Sequence, residues 1–142
     1  MRLFTIGYSR RSLDEVIGML REQGIPALVD VRMWASSRFK PEFSKNRLAA
    51  SLEDSGIAYV YLRALGNAGK FSGAGRVVIN SPEDGYPELT ELLERHGSVA
   101  IMCLERDARE CHRMDVAVEM ARRLPDLEVT HLGMPEPSAH LL

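Results

Sequence analysis

Residues 103–113, CLERDARECHR, gather both cysteines of the chain with Glu105, Asp107, Glu110, His112 and three arginines. Each type has a chemistry. A cysteine thiolate can attack an electrophile or bind a soft metal. A glutamate or histidine can move a proton. Arginine presents a planar fork of donors to carboxylates and phosphates. The run just before, Val99-Ala100-Ile101-Met102, is wholly apolar. A buried strand therefore empties into this reactive stretch.

Three uses of the stretch can be weighed. Cys103 and Arg109 have the spacing of a phosphatase or rhodanese-type anion loop. Glu105 and Asp107 lie inside that loop and would repel a phosphate, and no glycine eases its turn. Cys103, Glu105, Cys111, His112 and His131 are zinc-ligand types. No C-x-x-C pair is present, and a helical wheel turns Cys111 toward the core, so no metal and no cofactor are expected. Free cysteine commonly packs as a small hydrophobe. The expectation is reduced thiols spent on packing, with His112 either exposed or turned into a rim cleft near the helix N-terminus, and Arg113 bridging helix and sheet edge.

The surrounding elements follow from periodicity. Leu3–Ile6, Ala27–Val31, Ala58–Leu62, Ser98–Cys103 and Glu128–Leu132 read as strands. Ser12 with Glu15 forms a capping-box pattern before Leu13, Val16, Ile17 and Leu20. Ser44 can cap a second helix with Leu48, Ala49 and Leu52 inward. Ser81-Pro82 starts a third, with Leu89, Leu92 and Leu93 inward. Asp107 with Glu110 suggests a capping box for a fourth, whose stripe is Met114, Ala117, Val118, Ala121 and Leu124. Strands alternating with helices predict a single α/β domain over residues 1–142. It would be Rossmann-like and three-layered, with a mostly parallel five-stranded sheet and helices on both faces. The stretches 33–43 and 66–76 read as loops, and the tail from Pro135 as loosely held.

In such a sheet the strand ends line one edge, where ligands bind. Tyr8 and Ser9 follow strand one, Arg32 follows strand two, and Arg38 lies in the next loop. Glu105 follows strand four and His131 ends strand five. The loop 66–76 lacks a phosphate-loop fingerprint, and Gly7-Tyr8-Ser9 lacks the dinucleotide one.

Thr5-Ile6-Gly7-Tyr8-Ser9, Val29-Asp30-Val31-Arg32, Ser37-Arg38, Leu65-Gly66, Cys103-Leu104-Glu105 and Cys111-His112-Arg113 resemble the DUF488 family over residues 3 to 132. The pairing of C-x-E with a later C-H-R is the most specific part. The resemblance implies a Rossmann-like domain and a set of marked positions rather than a reaction.

Composition bounds the partners. Net charge is −2, against a globally basic nucleic-acid binder. Fifteen arginines stand against three lysines, a skew that favours bidentate recognition of anions. No segment has the apolar length of a membrane span, and the N-terminus has no secretory h-region, so a cytoplasmic protein is expected. Two cysteines make no disulfide framework.

The reading is a cleft for a phosphorylated or otherwise anionic small molecule, or a nucleic-acid end. Glu105 and His112 would be the catalytic pair, and Tyr8, Ser9, Arg32, Arg38 and Arg113 would contact substrate. The rival is a non-catalytic anion- or nucleotide-binding regulatory module.

Overall fold

The computed structural model describes residues 1–69 and 75–134. Part of the glycine-rich loop and the tail from Pro135 lie outside the described residues. Five strands form one parallel sheet: β1 (Arg2–Gly7), β2 (Ala27–Asp30), β3 (Ala58–Tyr61), β4 (Ser98–Cys103) and β5 (Glu128–His131), in the order β3-β2-β4-β1-β5. The described α-helices are α1 (Leu13–Glu22), α2 (Lys45–Asp54), α3 (Pro82–His96) and α4 (Arg113–Arg123). The expected three-layer α/β architecture is the observed one.

The apolar run of β4 is central and feeds both faces. Val99, Ile101 and Cys103 pack among Leu89, Leu92 and Leu93 of α3 and Val116, Ala117 and Met120 of α4. Ala100 and Met102 pack among Val16, Ile17 and Leu20 of α1 and Leu48 and Leu52 of α2. Two-sided burial is what a central parallel strand requires. Each such fully buried aliphatic side chain contributes about 1.5–3 kcal/mol relative to exposure.

Ser12 makes the anticipated capping box, its hydroxyl accepting from the Glu15 amide while the Glu15 carboxylate accepts from the Ser12 amide. Ser44 stands before α2 but does not cap it. Its hydroxyl accepts instead from the Ser37 amide and ties down the 33–43 loop.

The start of α4 differs from expectation. Asp107 caps only a short 3₁₀ turn, Ala108–Glu110, by accepting from the Arg109 amide. Cys111 is then extended, and the helix begins at Arg113 with His112 at its N-cap. The core stripe shifts with it: Val116, Ala117 and Met120 are buried, while Val118 is 62% exposed. A helical wheel drawn from Asp107 onward therefore misplaces Val118, while Cys111 is buried in the core as that wheel gives.

The two central strands diverge in their connections. From β1 the chain passes through α1 to β2 on one side; from β4 it passes through α4 to β5 on the other. Because α1 and α4 cover opposite faces, the carboxyl ends of β1 and β4 open onto the crevice where ligands bind in open α/β sheets. The loops after these strands are drawn close there. Tyr8 and Ser9 amides donate to the Cys103 and Leu104 carbonyls, extending the ladder beyond the strands. A Cβ at position 7 would collide with the Glu105 carbonyl oxygen, so the approach requires glycine.

Candidate functional site

A cavity of about 760 Å³ opens at this edge. Tyr8, Arg32, Cys103, Glu105, Cys111 and His112 line it, with Trp34, Arg76, Arg109, Glu110 and Asp115 among the other lining residues. The size suits a small-molecule site.

Both cysteine residues and His112 are buried where they line it. Cys103 arrives at the end of β4 and Cys111 from the extended link before α4, and both are buried. Their sulfurs are joined as a disulfide, across a Cα–Cα separation of 7.2 Å. The two sulfurs therefore meet instead of packing separately. The reason is the late start of α4, which swings Cys111 off the helix and toward the strand end.

His112 is buried and lines the cavity, so of the two expected placements it is the one turned into the cleft. Nε2 lies 2.8 Å from the Val31 carbonyl oxygen, and Nδ1 lies 3.6 Å from Cys111 Sγ. A carbonyl only accepts, so Nε2 carries the proton and donates. In the neutral ring Nδ1 then faces the sulfur with its lone pair. Burial pushes the His112 pKa below its ordinary value, against the Val31 hydrogen bond and the Glu105 charge, so the ring is neutral at pH 7. Glu105 Oε2 lies 3.7 Å from Cys103 Sγ and could accept from it only as a thiol.

The family description Domain of unknown function DUF488 matches residues 12–119. The chain belongs to the DUF488 family. No curated protein and no solved structure matched it.

Within this DUF488 domain the predicted arginines have separate fates. Arg32 makes a bidentate pair with Asp30, Nε donating to Oδ1 at 2.8 Å and Nη2 to Oδ2 at 2.7 Å. Nη2 also donates to the Phe43 carbonyl, and Nη1 to the Tyr8 hydroxyl. Four of its five N–H groups are thus used among the described residues. One Nη1 hydrogen remains at the cavity lining. Burial works against the charged form, but the Asp30 hydrogen bonds and charge outweigh it and raise the Arg32 pKa. Tyr8 is held flat by stacking on Phe43, with ring centroids 4.4 Å apart.

Arg113 is fully buried and absent from the cavity lining. Its guanidinium donates to the Thr5 hydroxyl, Cys103 Sγ at 3.1 Å, and the Glu105 and Arg106 carbonyls. It pins the 103–106 turn to β1. Burial pushes its pKa down to about 10 even though Glu105 opposes the shift. Ser9 lines a second, smaller cavity of about 370 Å³ with Glu105, Arg106 and Asp107. Arg38 is on an exposed loop and lines neither cavity.

Among the lining residues, Trp34 and Arg76 were not anticipated from sequence. Arg109 pairs with Asp107, whose carboxyl those hydrogen bonds hold down at about 2. Trp34 is stacked under Arg63, whose guanidinium carbon lies 4.7 Å from the ring centroid. The sequence signal for Trp34 was its place two residues after the strand-two arginine, where the chain turns across the sheet edge.

The histidines set a pH dependence. His131 is lowered by burial and then by Arg113; His112 is lowered by burial. Between about pH 6.5 and the lowered folded values, the unfolded chain takes up protons that the folded one does not. Stability contributed by these rings is present above about pH 6.5 and is lost as pH falls. Urea midpoints at pH 7.5 and 5.5 should therefore show a drop at the lower pH, well above the range where the carboxylates titrate. Equal midpoints would contradict neutral burial of both rings.

Proposed function

We propose that this DUF488 domain is an enzyme acting on a small anionic compound held in the 760 Å³ cavity. The observation that carries the reading is the convergence of Glu105, the His112 ring and two cysteine sulfurs in one cavity beside the remaining Arg32 donor. Glu105 would be the proton-moving carboxylate. Arg32 would offer one charge-assisted hydrogen bond, and Arg76 and Arg109 a positive rim. His112, locked on Val31 through Nε2, would act within the sulfur cluster rather than as a free general base. A nucleic-acid end presents the same phosphate chemistry as a small phosphorylated compound.

The test is turnover by the purified, reduced domain with p-nitrophenyl phosphate, p-nitrophenyl acetate and a 5′-phosphorylated oligonucleotide. Glu105→Gln should lower kcat by about 10²–10⁴-fold, the usual range for removing a proton-transfer group. KM should change little. Binding of these compounds that requires Glu105, with no turnover of any, would favour the regulatory-module reading. That reading draws on Arg32, which is already paired with Asp30 and suits fixed recognition as well as catalysis.

A further inference from the structure

We propose that Cys103, Cys111 and His112 form a Zn²⁺ site facing the cavity, with Cys103 Sγ, Cys111 Sγ and His112 Nδ1 as ligands. This rests on reading that cavity as the working site, and it names the reactive centre there.

The three candidate ligand atoms lie within 4.8 Å of one another, and all three residues are buried. Bonds of about 2.3 Å to sulfur and 2.0–2.1 Å to nitrogen, at a tetrahedral angle, put S and N ~3.5–3.6 Å apart. The Cys111 Sγ to His112 Nδ1 distance is 3.6 Å. The imidazole is oriented as a ligand would be. Val31 takes the Nε2 proton and leaves the Nδ1 lone pair on the sulfur side, the arrangement that metal-binding histidines use to fix tautomer and ring angle.

Two further features fit a thiolate pair. The Cα–Cα separation of 7.2 Å exceeds the usual disulfide span of about 4.4–6.8 Å. Thiolates sharing one ion stand ~3.8 Å apart, from two 2.3 Å bonds at a tetrahedral angle, and that wider backbone spacing accommodates them. Arg113 Nη1 donates to Cys103 Sγ at 3.1 Å, so a buried cation already stands beside the sulfur that would carry negative charge.

Two-electron reduction by a thiol or phosphine opens the disulfide to two thiols. Zn²⁺ then displaces their two protons and takes the neutral ring nitrogen as a third ligand. Three protein ligands and a position open to a cavity are the pattern of catalytic zinc rather than structural zinc. Glu105, beside Cys103, would stand next to that open position.

The experiment uses the full chain, reduced with a phosphine under anaerobic conditions and titrated with Co²⁺ and then Zn²⁺. Stoichiometric uptake is expected, with sulfur-to-cobalt charge-transfer bands and intense visible bands of a tetrahedral site, bleached when Zn²⁺ replaces Co²⁺. Cys103→Ser, Cys111→Ser and His112→Ala should each weaken Zn²⁺ binding beyond the ~10- to 100-fold that loss of a ligand's supporting partner typically causes. Glu105→Gln should keep the metal. Far-UV circular dichroism checks that each variant is folded. If a variant is not, the wild type decides: Zn²⁺ should protect both thiols from iodoacetamide, read by mass. Absence of uptake by folded, reduced protein, or uptake that leaves both thiols open to alkylation, would overturn the site. Because the readout is metal binding, its failure leaves the Glu105 turnover test standing on its own.

Discussion

Asp30→Ala is expected to destabilise the domain by about 3–5 kcal/mol, the range for leaving one partner of a buried ion pair uncompensated. Asp30 is fully buried and accepts from the Arg32 backbone amide, Arg32 Nε and Nη2, and the Tyr59 hydroxyl. Its removal strands a guanidinium that is 6% exposed. It also strands the Tyr59 hydroxyl, whose pKa burial and the Asp30 charge now raise. Chemical denaturation measures the cost. The double replacement Asp30→Leu with Arg32→Met should recover much of it, since a buried pair exchanged for apolar residues of similar volume is often neutral. A single-variant loss below about 1 kcal/mol, typical of a surface pair, would show that the pair is solvated.

Arg113→Ala is expected to cost a comparable amount, about 3–5 kcal/mol, and to unfold the 103–106 turn before anything else. It removes donors from two part-buried carbonyls in the turn, each costing up to the about 1–3 kcal/mol of a fully buried group. Lost packing of a fully buried side chain adds to this. Arg113→Lys should rescue only part, because one ammonium cannot serve Thr5, Cys103 and both carbonyls in the fork geometry of a guanidinium. Denaturation midpoints of the three proteins test this. From sequence alone Arg113 reads as a substrate contact. Its full burial makes the substitution first a stability change.

The alternation of strands and helices was legible because it rests on periodicity, which local sequence carries directly. The two-sided run Val99–Met102 marked the central strand for the same reason. That Tyr8, Arg32 and Glu105 reach one edge follows from strand polarity alone. Two things were not legible. The arginine skew pointed to anion recognition, yet Arg11, Arg32, Arg63 and Arg113 all donate to backbone carbonyls, of Gly7 and Gly133, Phe43, Met33, and Glu105 and Arg106. Whether a guanidinium serves a ligand or its own loops depends on which carbonyls the tertiary fold leaves short of donors. The second was the meeting of Cys103, Cys111 and His112. Asp107 and Glu110 have the spacing of a capping box, but that turn closes as 3₁₀ and Cys111 extends. With the helix starting only at Arg113, Cys111 and His112 both line the cavity.

The most direct test of the account is a crystal structure of the reduced domain at saturating phosphate. The account predicts an oxyanion inside the cavity, accepting from the remaining Arg32 Nη1 hydrogen and bordered by Glu105 and the Cys103–His112 cluster. A cavity holding only water at saturation, with phosphate bound elsewhere, would contradict it.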